Sequence, residues 1–189
     1  MTDPTKVLQQ GDALIVVDVQ NDFCPGGALP IEQGDRVVPV LNAWMAAAEA
    51  RGVPIFASRD WHPQEHVSFQ TRGGPWPPHC VQDTEGAAFH PELQLPASTV
   101  KVTKGTRFDQ DQNSAFEQTG LAQELLARAV ERLWVGGLAE DVCVRATVLD
   151  GRAAGFDVHL INDATRPVSH SGGAAARAEM EAAGADLAA

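Results

Sequence analysis

The sequence predicts an α/β fold with three layers, αβα, built around a mainly parallel sheet. Continuous apolar runs alternate with stretches of helical periodicity, and glycines often stand between them. A run such as ALIVVD (13–18) is typical of a strand that is buried on both faces. Strands that alternate with helices form parallel sheets covered on both sides. We expect one domain over residues 1–189, because a chain of this length suits a single core.

The predicted elements follow one another in a regular order. The strands are short and apolar, at residues 13–18, 53–58, 98–103, 132–137 and 156–161. Helices are predicted at 34–51, at the repeat Leu121, Leu125, Leu126 and Ala129, at 141–154 and at 171–183. Between the second and third strands lies a segment rich in Pro and Gly, residues 60–97, with four of the six histidines. A loop of this length in a compact domain is usually functional or disordered.

Composition excludes several classes of protein. The formal net charge of -11 argues against a nucleic-acid partner or an anionic membrane. The first dozen residues lack the apolar region of a signal peptide, and no apolar run is long enough to cross a bilayer. Three cysteines make an odd and sparse set that does not suggest a disulfide framework. We therefore expect a cytoplasmic protein.

Ionisable residues follow the predicted strands at their carboxyl ends. Right-handed crossovers bring these ends to one edge of a parallel sheet, where ligands bind. The residues concerned are Asp18, Asp60, His62, Lys104, Cys143 and Asp163. The sequence therefore predicts that residues far apart in the chain meet at this edge.

Cys143 is the strongest candidate for a nucleophile, because it is predicted at the start of a helix. The helix N-terminus and a nearby Lys104 would lower the thiol pKa, and free N–H groups would bind an oxyanion. Asp18, expected to be buried, needs a partner such as Lys104 and would accept the thiol proton. A structural Asp–Lys pair is the alternative. Cys24 and Cys80 have no assigned base and are interpreted as structural.

A metal site is predicted in the long loop. Asp60 and His62 are two residues apart, so in an extended segment their side chains point the same way. His66 and His79 follow in the same loop, which favours a mixed N/O site over a pair of surface residues. Imidazole and carboxylate ligands suit Zn, Fe or Mn.

Five segments carry a pattern that points to a known family. They read DVQNDFCPGGALP (18–30), SRDWHPQEHVSF (58–69), WPPHCVQDTEGAAFHPEL (76–93), TKGTRFDQDQNSAF (103–116) and GGLAEDVCVRATVLDGRAAGFDV (136–158). The chain resembles the nicotinamidases and pyrazinamidases of the isochorismatase-like cysteine hydrolases. The resemblance implies a Rossmann-like hydrolase fold. It also implies hydrolysis of nicotinamide, and of pyrazinamide, through a cysteine thioester, a step of NAD salvage.

The resemblance also implies a role for each candidate residue. The catalytic triad would be Asp18, Lys104 and Cys143. The oxyanion hole would be formed by backbone N–H groups of Ala139 and Cys143, beside a cis peptide bond between Leu138 and Ala139. One divalent transition metal would be held by Asp60, His62 and His79. His66 would be a fourth ligand or a neighbour of the ligands, and Phe23 and Trp76 would clamp the ring of a small pyridine carboxamide.

One residue departs from the family pattern. Glu140 stands where many members carry Thr, and it adds a negative charge close to the proposed thiolate. We expect its side chain to face away from the thiol. The alternatives left open are another cysteine amidase of the same superfamily, an ether hydrolase, which would lack the cysteine, and a non-catalytic metal-binding relative. The sequence leaves open whether the chain forms a homo-oligomer.

Overall fold

A five-stranded sheet forms the centre of the computed structural model, which describes residues 2–187. The strands are β1 (Asp12–Val17), β2 (Ile55–Asp60), β3 (Val100–Lys104), β4 (Arg132–Leu138) and β5 (Asp157–Arg166). All pairings are parallel, and the strand order is β3–β2–β1–β4–β5. The predicted parallel sheet is confirmed.

Helices cover both faces of the sheet. They are α1 (Pro4–Val7), α2 (Val37–Arg51), α3 (Leu121–Ala127), α4 (Arg145–Ala153) and α5 (His170–Ala182). Alternate β1 side chains separate the two cores: Leu14 and Val16 share a core with α2, while Ile15 and Val17 share one with α3, α4 and α5. This arrangement confirms the αβα layers. Within residues 2–187, no helix is long and apolar enough to cross a membrane.

The order of the strands reverses at β1, and this places the site. From β1 the chain builds outward to β2 and β3, and it then returns to add β4 and β5 on the other side. Ligands in such sheets bind where the order reverses, beyond the carboxyl ends of the strands. Asp18 follows β1 directly, and Cys143 lies in the turn that follows β4.

The structure corrects the prediction for Asp163. The fifth strand does not end at residue 161 but continues to Arg166, after a register shift between Val135 and Gly137 of β4. Asp163 is therefore an exposed residue within an edge strand, and it does not line the site. The sequence NDAT is typical of a turn, but here it belongs to the strand, with Asp163 exposed and Ala164 and Thr165 buried.

Two other boundaries differ from prediction in ways that bear on the site. Asp60 is the last residue of β2, because the strand lies two residues later than expected. The helix predicted at 141–154 begins as a wide turn of π type, Glu140–Val144, before α4 starts at Arg145. The long loop predicted at 60–97 is confirmed as irregular, with only short 3-10 turns.

Candidate active site

Lys104, at the end of β3, is the centre of the site and is completely buried. Its Nζ lies 2.6 Å from Oδ1 of Asp60, 2.8 Å from Oδ2 of Asp18 and 3.5 Å from Sγ of Cys143. The backbone carbonyl of Gln112 accepts from the same Nζ at 3.3 Å. Burial opposes the charge of Lys104, but the two carboxylates outweigh it and raise its pKa well above the usual value. Lys104 is therefore a fixed ammonium ion that draws three reactive groups together.

Asp18 is held by the strand that lies beside it. Its backbone N–H donates to the carbonyl of Ser58 at 3.2 Å, and the Ser58 hydroxyl donates to its Oδ1 at 2.7 Å. Because Oδ1 is occupied, Oδ2 is the oxygen that faces Lys104. Burial raises the pKa of Asp18, and Asp60 adds to the rise, while Lys104 opposes it. The carboxyl group of Asp18 is thus suited to holding a proton that it receives.

Cys143 lies in the π-type turn with its side chain turned toward this pair. A carboxylate oxygen each from Asp18 and Asp60 lies within 4.8 Å of its Sγ and of each other. Burial raises the pKa of the thiol well above its usual value, because Lys104 lowers it by less than burial and the two carboxylates raise it. The expectation of a lowered thiol pKa is therefore wrong. The resting group is a thiol that must lose its proton as it reacts.

Asp60, His62 and His79 form a buried cluster next to the triad. One ligand atom from each lies within 4.8 Å of the others. Nδ1 of His62 is 3.0 Å from the carbonyl of Gly105, and Nδ1 of His79 is 2.8 Å from that of Pro77. These bonds place the ring protons on Nδ1 and leave the Nε2 lone pairs available to a cation. The donor set therefore fits a divalent transition metal.

His66 is close to this cluster but is already hydrogen-bonded at both ring nitrogens. Its Nδ1 lies 2.7 Å from the Ser68 hydroxyl, and its Nε2 lies 3.0 Å from the carbonyl of Gln110. Its ring stacks on that of His62, with the centroids 4.0 Å apart. Of the two roles predicted for His66, this geometry favours the neighbour that supports a ligand.

A cleft opens from Cys143 toward the cluster of Asp60, His62 and His79. Phe23 and Trp76 line it, as do Ala139 and the two histidines of the cluster. The ring of Phe23 lies 5.5 Å from that of His79. The backbone N–H of Trp76 donates to the backbone carbonyl of Ser68 at 3.0 Å. The peptide bond between Leu138 and Ala139 is cis, as the resemblance implied.

Glu140 does not point into this cleft. It is 2% exposed, and both of its carboxylate oxygens accept hydrogen bonds from Arg177 on α5, at 2.9 and 2.7 Å. The expectation that its side chain faces away from the thiol is confirmed. Cys24 and Cys80 are free and buried, and burial raises the pKa of Cys24 to about 11.

Three polar residues at the site were missed by the sequence reasoning. Gln20 is fully buried and bonds both backbone groups of Asp60, at 2.8 Å to the N–H and 2.7 Å to the carbonyl. Gln112 accepts from the N–H of Gly105 at 2.9 Å. Asn113 lines the cleft, with Oδ1 4.0 Å from Sγ of Cys143. Gln20 lies within the segment 18–30, two residues after Asp18, and this proximity was the available signal.

Fold and site together define an α/β protein with an Asp–Lys–Cys group at the edge of its sheet, beside a cluster of residues that could hold a metal ion. The family model described as the Isochorismatase domain matches residues 12–189. The chain belongs to the isochorismatase family, and the resemblance seen in the sequence is confirmed.

Proteins with a known activity or ligand are among its relatives. The nicotinamidase of Escherichia coli K12 is 40% identical over 93% of each chain. A crystal structure of the pyrazinamidase of Pyrococcus horikoshii in complex with zinc has a TM-score of 0.90 and 44% identity, over 93% of this chain and 97% of that one. The PnC1 protein of L. infantum in complex with nicotinate has a TM-score of 0.88 and 38% identity, over 96% and 94%.

Proposed function

We propose that this protein is a nicotinamidase that hydrolyses nicotinamide to nicotinate and ammonia, and also accepts pyrazinamide, as part of NAD salvage. The observation that carries the proposal is the position of Cys143 between a buried Asp18–Lys104 pair and the cluster of Asp60, His62 and His79. The relatives named nicotinamidase and pyrazinamidase support it.

The first step is attack by Cys143 on the carboxamide carbon. Because the thiol is protonated at rest, its proton passes to Oδ2 of Asp18 as the S–C bond forms. Lys104 stays charged and compensates the negative charge that builds up around it. Backbone N–H groups of Ala139 and Cys143 would donate to the oxyanion, since both residues line the cleft.

Collapse of the tetrahedral intermediate breaks the C–N bond and leaves a thioester on Cys143. Asp18 returns its proton to the amine, which departs as ammonia. Asp18 then takes a proton from water, and the hydroxide attacks the thioester. The thiolate of Cys143 is the leaving group, and it recovers its proton from Asp18. Nicotinate is then released and the site is restored.

Binding is assigned to the other end of the cleft. Asp60, His62 and His79 would hold one divalent metal, Zn, Fe or Mn, which when bound supplies a Lewis-acid position that orients the ring nitrogen. Phe23 and Trp76 would lie against the ring faces. His66 would keep the ring of His62 in place. Ring and carboxamide would then be fixed at the two ends of the cleft.

Ammonia release from nicotinamide and pyrazinamide tests the proposal, measured on one sample before and after chelation, with metal analysis. Release that stops on chelation and returns with the metal is the expected result. Activity on an acyclic carbamoyl amide, without activity on pyridine amides, would instead favour another amidase of the family. Inactivity toward both would favour the non-catalytic relative. The cytoplasmic location stays a prediction for fractionation to test, and light scattering would determine the oligomeric state, which the sequence leaves open.

A further inference from the structure

We propose that Arg177, on the last helix, is a positioning residue for the turn that carries Cys143. Its charge compensates the buried carboxylate of Glu140, so that this carboxylate, and with it the backbone from Ala139 to Cys143, stays in place. This inference rests on the proposed function, because its effect is on the rate of that reaction. Arg177 lies outside the five sequence segments that resemble the family, so the resemblance assigns it no role.

The contact between Glu140 and Arg177 is bidentate, and it is buried on the side of Glu140. Nε of Arg177 donates to Oε1 at 2.9 Å, and a terminal nitrogen donates to Oε2 at 2.7 Å. The Glu140 side chain is 3% exposed, and that of Arg177 is 36% exposed. The other terminal nitrogen of Arg177 donates to Oδ1 of Asn162, on β5, at 2.6 Å. A planar guanidinium held on two sides fixes the direction of the carboxylate as well as its charge.

The start of α5 packs against the same turn. Oδ1 of Asp141 accepts from the N–H of Val168 at 2.7 Å. A Cβ at Gly172 would lie 2.3 Å from Oδ2 of Asp141, and one at Gly173 would lie 2.9 Å from Pro167 and 3.2 Å from Oε1 of Glu140. Two successive glycines therefore allow the helix to approach the two carboxylates closely.

Movement of Glu140 would be transmitted to the reacting groups. Ala139 precedes it directly, and the N–H groups of Val142 and Val144 both donate to the Ala139 carbonyl, at 3.1 and 3.0 Å. The turn is thus closed on itself around Glu140, with Cys143 between those two donors. Without Arg177 the buried carboxylate would lack a cation, and it would have to rotate toward water or take up a proton. Either change displaces the N–H groups and the thiol.

Glu140 and Arg177 differ in their exposure to water, so removing one or the other should have different effects. Removal of Arg177 leaves a buried charge, whereas removal of the charge on Glu140 leaves a cation that water can reach. We expect Arg177→Met to lower kcat for nicotinamide by about tenfold or more, since small displacements of reacting groups are costly, with KM changed by less than about twofold. Glu140→Gln should lose less. Glu140→Gln/Arg177→Met, which has no buried charge, should recover most of the lost kcat.

A matched control is available on the same helix. Glu179 pairs with Arg145 across an exposed contact, so Glu179→Gln should keep the wild-type kcat and KM. Thermal unfolding of each variant shows whether it is folded, and Arg177→Gln replaces Arg177→Met if that variant does not fold. A folded Arg177 variant with wild-type kcat would overturn the proposal, as would a double variant that is no faster than the Arg177 single variant.

The role of Arg177 can also be tested if the proposed function is wrong. If the wild-type protein releases no ammonia from nicotinamide, the proposed function fails, and the role of Arg177 is read instead from the rate of Cys143 alkylation at one fixed pH. Slower or faster alkylation in Arg177→Met, reversed in the double variant, would support it. An unchanged rate would reject it.

Discussion

Asp60 binds Lys104 through one carboxylate oxygen, at 2.6 Å, and leaves the other facing Nε2 of His62 at 3.6 Å. One side chain therefore belongs to both halves of the site. Burial opposes its ionisation, but Lys104 and His62 outweigh burial and lower the pKa of Asp60. A charged, fixed carboxylate here orders the ammonium of Lys104 on one side and completes a ligand set on the other.

Asp60→Asn should abolish metal binding and turnover together. Its neutral amide weakens the contact with Lys104 as well as the ligand set. His79→Ala should also lose metal, but excess metal should restore part of its activity, because the triad contacts are intact. Metal titration with ammonia release distinguishes the two variants. Equal rescue of both would contradict the double role of Asp60.

His62→Ala and His66→Ala should differ in metal content. Nε2 of His62 faces the ligand oxygen of Asp60 within the cluster, whereas both nitrogens of His66 are occupied outside it. We expect His62→Ala to lose most of its metal, and its substrate binding should weaken. His66→Ala should keep one equivalent of metal, and its affinity for the metal should fall about 10-fold, as for other residues that orient a metal ligand. Elemental analysis after dialysis measures both, and a metal-free His66→Ala protein would make His66 a ligand.

Lys104→Met should destabilise the fold by about 3–5 kcal/mol, because it leaves two buried carboxylates without a cation. Without Lys104 the folded-state pKa values of Asp18 and Asp60 should exceed their unfolded values. The folded variant then binds more protons than the unfolded chain, so its stability should rise as the pH falls toward 5. Urea unfolding at several pH values tests this, and the gain should be larger than in the wild-type protein, in which Lys104 helps to lower the pKa of Asp60.

Cys143→Ser should remove nearly all turnover while nicotinamide binding is largely retained. The alcohol is a weaker acid than the thiol, so Asp18 cannot readily accept its proton. Cys24→Ser and Cys80→Ser are the matched controls and should keep most activity, since neither side chain lines the cleft. Mass spectrometry of quenched enzyme should find the acyl group on the Cys143 peptide. An adduct on either other cysteine would refute the mechanism.

The sequence predicted those parts of the site that follow from the sheet. Asp18, Lys104 and Cys143 stand at or just after strand ends, and parallel pairing alone brings them together. Asp163 failed the same rule because the polar end of β5 stays paired with β4 as an edge strand. The prediction of a lowered thiol pKa for Cys143 was wrong for a related reason. Burial raises this pKa, and the extent of burial depends on packing that residue spacing does not reveal.

Contacts between irregular segments were beyond the sequence. Gln20, Asn113 and Arg177 have no periodic pattern, and their partners lie 40, 30 and 37 residues away. A single polar residue in a loop or on an amphipathic helix is most often solvated. Only coordinates show that these three side chains turn inward, which is why the supporting interactions of the site were not predicted.

The strand order has a consequence for how the protein is made. The cluster of Asp60, His62 and His79 spans twenty positions, and its contacts with Lys104 and Gly105 add the end of β3, so all of these parts precede β4 in the chain. The nucleophile cannot join them until β4 has been synthesised and has inserted beside β1, with Leu14 opposite Trp134. A nascent chain that ends before β4 therefore has every residue of the cluster but no Cys143, and the nucleophile joins the cluster only when the sheet is completed around its first strand.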